Sequence, residues 1–171
     1  MLTHYSAGLF DYLSDKSFEM PIKPAAINTY LLFRLPAAYF CGVRVKTLND
    51  TYCHTSVKHR WINQNPFKSM FWAVQGMAAE LSTGALVMNY IKQSEHEFSM
   101  LLIANNSSFM KKARGRITFS CEDGKLIETT LKRAAESGVG ERCIMQASGK
   151  DSNGDIVSEF NFEWSVRLKM N

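Results

Sequence analysis

The chain has 171 residues, which is enough for one domain with a hydrophobic core and too few for two. Apolar residues make up 46% of it, and the formal net charge is +4. These values are typical of a soluble globular protein. With no Lys/Arg run longer than two and no zinc-finger or RNA-binding pattern, the sequence lacks a nucleic-acid-binding signature.

The four cysteines are scattered, and none is spaced from another cysteine or from a histidine as metal ligands are. Such thiols are typical of buried side chains in a reducing compartment. The N-terminus lacks a basic segment followed by an apolar one, and no apolar run reaches the length of about 18 residues that a membrane span needs. We therefore expect a cytoplasmic protein that contacts neither nucleic acid nor membrane and holds no metal.

We divide the chain into an N-terminal helical extension, residues 1–40, and a main domain, residues 41–171, which together form a single domain. Pro24 can occupy the first turn of a helix, and apolar residues follow it at helical spacing. Pro36 is expected to end that helix. The extension is expected to lie at the periphery of the fold.

Alternation of apolar and charged residues begins with the main domain. Val43 and Val45 lie on one side of the chain and Arg44 lies on the other, which is the period of a β-strand. The same alternation returns at residues 53–61. We therefore predict two strands joined by a turn at residues 48–50.

Residues 65–88 predict a long helix that is nearly apolar all round, with one carboxylate, Glu80, at its middle. A helix without a polar face is buried, so Glu80 is predicted to lie inside the protein. An ionised carboxylate is costly there unless it is paired, so it belongs either to a structural pair or to a reactive site. The helix would be capped by Asn65, with Pro66 in its first turn, or by Ser69 one turn later.

Four further strands are predicted, at residues 98–104, 111–121, 141–150 and 155–168. The polar residues 105–108 are expected to end the first of them, and the Asn-Gly pair at 153–154 is a strong hairpin signal. The Asp-Gly pair at 123–124 could turn another hairpin, but apolar residues at helical spacing favour a helix over residues 123–138. The result is an α+β fold in which a curved antiparallel sheet wraps a long central helix, with extra N-terminal helices and a helix before the last two strands.

This order of elements resembles the hotdog fold of acyl-CoA thioesterases. Small bacterial thioesterases of the phenylacetate-pathway type carry an Asn, a His-Gly-Gly six residues later, and an acidic residue fifteen after the Asn. Here Asn65 and Glu80 are fifteen residues apart, whereas Phe71-Trp72-Ala73 stands in place of His-Gly-Gly. The spacing of the acidic residue therefore matches that family, and the middle of the motif does not.

A second segment, Phe109–Arg116, is similar to a stretch of those proteins that reads aromatic-x-x-Pro-Ala-x-Gly, with Lys112 in place of the proline. The likeness spans residues 40–168 and is nearest to a thioesterase-like branch of unassigned function, which often has Phe in place of the His. It implies a homo-oligomer, a dimer or a tetramer, that hydrolyses acyl thioesters. The substrate would be a thioester of coenzyme A or of acyl carrier protein, and no cofactor is implied.

The resemblance places a catalytic site on the long helix. Glu80 would act as general base or as nucleophile, because desolvation by apolar neighbours raises the pKa of a carboxyl group toward neutrality. Asn65 would hold the attacking water across a dimer interface. The oxyanion would bind to backbone amides at the helix start, those of Phe71, Trp72 and Ala73. Further candidates for substrate contacts are Gln75 and Thr83.

Four basic residues could bind the phosphates of coenzyme A, namely Lys111, Lys112, Arg114 and Arg116. Alternating charges of this kind are equally typical of the solvent face of a strand. The sequence leaves both interpretations open.

Two other functions are considered. A hotdog dehydratase is disfavoured, because residues 63–65 hold no histidine where such enzymes place one. A non-catalytic acyl-ligand-binding protein or a structural dimer remains the alternative, and Phe71 in place of histidine favours it. The deciding observation is whether Glu80 opens onto a pocket that reaches solvent or is sealed by a cationic partner.

Overall fold

The computed structural model describes residues 22–169, so the first 21 residues of the predicted helical extension lie outside the described part. The described elements are, in chain order, α1 (Pro24–Arg34), α2 (Pro36–Phe40), β1 (Arg44–Leu48), β2 (Cys53–Lys58), a 3₁₀ turn (Trp61–Asn63), α3 (Trp72–Gln93), β3 (Phe98–Phe109), β4 (Arg116–Cys121), α4 (Gly124–Ser137), β5 (Glu141–Lys150) and β6 (Ile156–Leu168). No helix among these residues is long and apolar enough to cross a membrane.

The six strands form one antiparallel sheet in the order β1-β2-β4-β5-β6-β3. The long helix α3 packs against one face of this sheet. Thr55 Oγ1 on β2 donates a hydrogen bond to the Ala78 carbonyl of α3 at 2.6 Å. Between helix and sheet lies a core of fully buried side chains, among them Val57, Phe119 and Met145. The predicted α+β hotdog fold, a curved sheet around a central helix, is confirmed.

The N-terminal helices pack more deeply than the sequence predicts. Pro24 occupies the first turn of α1, as predicted, and the chain leaves that helix at Leu35 before Pro36 opens α2. Ile27 and Leu31 are fully buried and belong to the same apolar core as the sheet. The expected peripheral position is therefore wrong for α1, because its apolar face covers part of that core.

The two edges of the sheet differ in construction. β1 has five residues and carries a bulge between Val45 and Thr47. Its outer backbone groups at Val45 bind the side chain of Asn28 on α1, which accepts from the amide and donates to the carbonyl, both at 2.9 Å. β3 has twelve residues and pairs with β6 alone in the described sheet.

The predicted interruption at residues 105–108 is wrong. β3 continues through these polar residues to Phe109, and they pair in register with β6. The Asn161 side chain donates to Asn106 Oδ1 at 3.0 Å, which bridges the two strands. Polar side chains are tolerated here because the strand lies at an exposed edge, and the following strand accordingly begins later than predicted, at Arg116.

The C-terminal half follows the prediction closely. Residues 124–137 form the helix α4, and its C-terminal Gly138 has a φ of +68°, a conformation that glycine adopts without strain. β5 and β6 are joined by the predicted Asn-Gly hairpin, in which Gly154 has a φ of +87°. The hairpin alternative at residues 123–124 is therefore wrong.

Candidate functional site

An apolar pocket of about 370 Å³ lies between α1, α2 and α3 and opens to solvent. Leu31 of α1, Met77 and Leu81 of α3, and Trp164 of β6 form much of its wall. Glu80 of α3 is the one carboxylate among its described lining residues. Pockets of this size and polarity, with few converging polar groups, are typical of small-molecule sites.

Glu80 faces this pocket from the third turn of α3, and its side chain is exposed in the protomer. The predicted burial is therefore wrong, because the apolar residues around Glu80 line a cavity and do not pack over it. Surrounding protein still removes enough water to raise the pKa of its carboxyl group above the ordinary value. Desolvation is the one cause of the raised pKa, and no hydrogen bond or ion pair of the Glu80 carboxylate is found within residues 22–169. The cationic Arg34 lines the same pocket.

Thr83 lies one turn beyond Glu80 and is fully buried. Its hydroxyl donates to the Glu80 carbonyl at 3.0 Å and accepts from the indole nitrogen of Trp164 at 3.0 Å. Trp164 also packs against Gly84, where an added Cβ would lie only 3.3 Å from the ring. Thr83 thus holds a wall of the pocket in place, and its hydroxyl is engaged on both sides.

The segment before α3 is a tight turn, so the predicted helix start at residues 65–69 is wrong. Asn65 Oδ1 accepts from the amides of Phe67 and Ser69, at 3.0 and 3.2 Å, and also from the Ser69 hydroxyl. Lys68 has a positive φ of 56°, and the Met70 amide donates to the Ala113 carbonyl at 2.8 Å. These hydrogen bonds hold the backbone in the turn, so the helix begins only at Trp72.

The first amides of α3 differ in their availability. The Phe71 amide donates to the Asn63 carbonyl at 2.8 Å and is therefore occupied. The amides of Trp72 and Ala73 have no acceptor among the described residues, as the first turn of a helix allows. Two of the three predicted oxyanion donors are thus free to bind a ligand, although the Trp72 side chain stands beside them and is 56% exposed.

Gln75 is buried one turn into α3 and is held from two sides. Its amide nitrogen lies 3.4 Å from the Met70 carbonyl, and its Oε1 accepts from the Ser158 hydroxyl at 2.9 Å. Gln75 and Asn65 both line a second cavity, of about 290 Å³, beside the end of β3.

Glu80 and Asn65 therefore line different cavities within one protomer. A helix rises about 1.5 Å per residue, so Glu80 lies roughly 12 Å along α3 from the free amide of Trp72. The structure does not bring the predicted catalytic pair together inside a single chain.

Three of the four predicted phosphate-binding residues, Lys111, Lys112 and Arg114, line one cavity of about 490 Å³ on the surface, and the fourth does not. Lys111 is bound by Asp151 and Asp155 at 2.8 and 2.7 Å, and these hydrogen bonds raise the pKa of its amine. Arg114 Nε donates to the Lys68 carbonyl at 3.2 Å, while Lys112 lines the cavity beside Asn65. Arg116 lies at another cavity, on β4.

The contribution of α1 to the pocket was missed at the sequence level. Tyr30 and Arg34 of this helix line the Glu80 pocket together with its buried leucine. The helical spacing of α1 was a usable signal for an apolar face, but nothing local to the sequence indicates that this face meets α3.

Comparisons with known proteins agree with this architecture. A family model described as "Domain of unknown function (DUF4442)" matches residues 25–166. No match is found among the curated proteins. Among solved structures, a protein of unknown function from Pseudomonas aeruginosa, described as a probable thioesterase, is 22% identical, with 89% of this chain and 100% of that chain covered and a TM-score of 0.72.

Two other solved structures are similar in fold. A protein of unknown function from Chlorobaculum tepidum is 15% identical, with 88% of this chain and 99% of that chain covered and a TM-score of 0.72. A thioesterase from Haemophilus influenzae is 9% identical, with 90% and 96% covered and a TM-score of 0.65. At such identities the likeness establishes the fold.

Proposed function

This chain belongs to the DUF4442 family, and we propose that it hydrolyses acyl thioesters, with the acyl chain in the Glu80 pocket. One observation carries the proposal. A carboxylate without a partner among the described residues, whose pKa is raised by desolvation, faces an apolar pocket from the central helix of a hotdog fold. The likeness in fold to proteins described as thioesterases supports the same chemistry.

In the proposed reaction, Glu80 takes a proton from a water molecule whose oxygen attacks the thioester carbonyl carbon. The carbonyl oxygen gains negative charge, which amide donors such as those of Trp72 and Ala73 would stabilise. The carbon–sulfur bond then breaks, and the thiolate receives the proton from Glu80. Direct attack by the carboxylate, giving a mixed anhydride that water hydrolyses, uses the same residue as nucleophile.

We further propose that the site is completed by a second copy of the chain. Glu80 and Asn65 line different cavities in one protomer, so a partner would have to supply the Asn65 turn and the free helix amides. The open β3 edge supports such pairing, because it is long and carries exposed apolar side chains such as Leu101. A homodimer is the simplest assembly, and a tetramer would extend it. We expect it to act in the cytoplasm without a cofactor.

A second function, binding an acyl ligand without turnover, is favoured by one observation. The Trp72 side chain stands at the helix start, where the resembled thioesterases have glycine, and narrows the approach of an acyl group to the free amides. In that case the pocket would hold the acyl ligand, and Glu80 would contact the ligand without taking a proton from water.

The test is thiol release from coenzyme A esters of short, medium, long and aromatic acyl groups, with the full chain. Glu80→Gln keeps the shape of the side chain and removes the base, so kcat should fall by about 10²–10⁴. Glu136→Gln, a change of the same kind at an exposed position on α4, is the matched control and should leave kcat unchanged.

Equal rates for wild type and Glu80→Gln would contradict the proposed site. Absence of release from every ester, by a wild type that binds those esters, would favour the binding function. Binding is measured with a non-hydrolysable thioether analogue of the same acyl groups.

A further inference from the structure

A second site is indicated on the face of the sheet that points away from α3. Thr55 and Val57 face the core, so the neighbouring Ser56 and Lys58 of β2 point outward. In the strand register, Arg44 of β1 lies opposite Ser56. Arg116 of β4 lies opposite Lys58.

We call Arg44, Lys58, Arg60 and Arg116 the outer basic cluster. These four side chains and Gly42 line a cavity of about 350 Å³, separate from the Glu80 pocket. The cluster draws on three strand or loop segments that are distant in sequence, so it is a product of the fold and not of a charge run.

One member of the cluster, Arg116, is bound to a buried hydroxyl. Ser56 is only 2% exposed, and its Oγ accepts a hydrogen bond from Arg116 at 3.3 Å. The Ser56 hydroxyl therefore helps to hold Arg116 at the cavity.

Arg44 is fixed by its surroundings, and Arg60 lies against the backbone of Gly42. Arg44 donates to the carbonyls of Tyr39 and Val43 at 2.8 and 2.7 Å, and its guanidinium carbon lies 3.8 Å from the centre of the Tyr39 ring. The guanidinium of Arg60 occupies the space where a Cβ at Gly42 would stand. Side chains held in this way lose little further entropy when they bind a ligand.

The charges of the cluster are not neutralised by the described protein. No carboxylate lines the cavity, and residues 22–169 supply no ion pair to any of the four cations. Like charges directly opposite each other on neighbouring strands, as Lys58 and Arg116 are, destabilise a sheet. An anion bound among them would remove that repulsion.

We propose that the outer basic cluster binds a phosphoryl group, as a phosphate monoester or a diphosphate. Guanidinium groups pair with phosphate oxygens in two-pronged hydrogen bonds, and the cluster supplies three such groups around one cavity. The phosphoryl group can come from free phosphate compounds or from the nucleotide portion of an acyl carrier such as coenzyme A. The second source rests on the proposed thioesterase function, whereas binding itself does not.

The direct test is calorimetric titration of the full chain, at low salt, with pyrophosphate and with coenzyme A. Wild type should bind at least one of the two, and Arg116→Gln should weaken binding about tenfold or more. Lys132→Gln on α4 makes the same charge change away from the cluster and should bind as wild type does. Absence of binding to both probes, or equal affinity in Arg116→Gln and wild type, would overturn the proposal.

Thermal unfolding distinguishes a lost ligand contact from a folding defect. Without ligand, the melting temperatures of Arg116→Gln and wild type measure the effect on folding alone, because the substitution removes both a repelling charge and the bond to Ser56. With saturating probe, only wild type and Lys132→Gln should gain stability. A stabilisation by probe that is equal in Arg116→Gln would count against the site.

The source of the phosphoryl group is decided by kinetics. If the cluster holds the carrier, Arg116→Gln should raise KM for an acyl-coenzyme A ester and leave KM unchanged for the same acyl group on pantetheine, which carries no phosphate. If KM for both esters is unchanged while pyrophosphate binding is lost, the cluster serves a free phosphate compound. Absence of turnover would remove the thioesterase proposal and leave the titration result intact.

Discussion

The two edge strands of the sheet differ in how well their backbone groups are protected from pairing with another chain. An edge strand presents unpaired amides and carbonyls that can pair with another chain. At β1 the strand is short and bulged, and the Asn28 side chain of α1 binds both backbone groups of Val45. At β3 the strand is twelve residues long and carries Leu101, which is 65% exposed.

This difference indicates that the protein protects one edge from association and leaves the other open. The proposed interface brings Glu80 of one copy to the Asn65 turn of the other. It can form at β3, and a protected β1 does not compete with β3 for a second copy of the chain. The two edges therefore connect the proposed dimer to features of a single protomer, and three experiments test that connection.

The largest effect is expected from Leu101→Glu on the open edge. A charge placed in each copy of the strand should weaken self-association by about 100-fold or more, which corresponds to roughly 2.7 kcal/mol. The side chain is exposed, so folding of the protomer should hardly change. Sedimentation equilibrium across a range of protein concentrations measures the association constant.

The matched control is Thr47→Glu, which puts the same charge on the exposed surface of β1. It should leave association unchanged. If Thr47→Glu dissociates the oligomer and Leu101→Glu does not, the assignment of the open edge is reversed.

An intermediate effect is expected from Asn28→Ala at the protected edge. The substitution leaves the amide and carbonyl of Val45 without their side-chain partners, so the free energy of unfolding should fall by about 1–3 kcal/mol. Chemical denaturation measures it. Thr29→Ala on the same helix removes a solvent-exposed bond to the Ala25 carbonyl and should change stability much less. Equal losses in the two variants would show that the Asn28 contacts do not protect the edge.

The smallest effect concerns the titration of Glu80. Its pKa is raised in the folded protein, so ionisation is less favourable there than in the unfolded chain. Protonated Glu80 therefore contributes its full stabilisation of the folded state at pH values below the ordinary pKa of 4.5. That contribution is lost as the pH rises through the raised pKa of the folded protein. Wild type should therefore become slightly less stable than Glu80→Gln across that window, as thermal unfolding at several pH values would show.

Pairing at β3 sharpens this prediction. A partner that closes the Glu80 pocket would remove more water, so the window should lie at higher pH in the wild-type oligomer than in Leu101→Glu. If the window is the same in both, pairing at β3 does not cover the Glu80 pocket.

Most of the fold could be predicted because its signals are local. The alternation of β1 and β2, the helical spacing of α4 and the turn at Gly154 each depend on neighbouring residues. The uninterrupted course of β3 could not be predicted, because its polar residues are stable there only through pairing with β6 at an exposed edge.

The site was harder to predict because it depends on distant contacts. The apolar run at residues 65–88 predicted the helix that carries Glu80, and desolvation does raise the pKa of its carboxyl group. The exposure of Glu80 was missed, since an apolar sequence does not distinguish a packed interface from the wall of a pocket. The turn at Asn65 replaced a helical start because the Met70 amide binds the Ala113 carbonyl, more than forty residues away.

The position of β3 also constrains the order in which the molecule can form. Its one neighbour in the described sheet is β6, the last of the described strands, and the pair joins Phe98 to Leu168. During synthesis, β3 therefore emerges from the ribosome well before any strand that can pair with it in the native protomer. Closure of such a distant pair is slow, and both edges of β3 stay unpaired until the thirteen residues of β6 have been made, which exposes the nascent chain to aggregation.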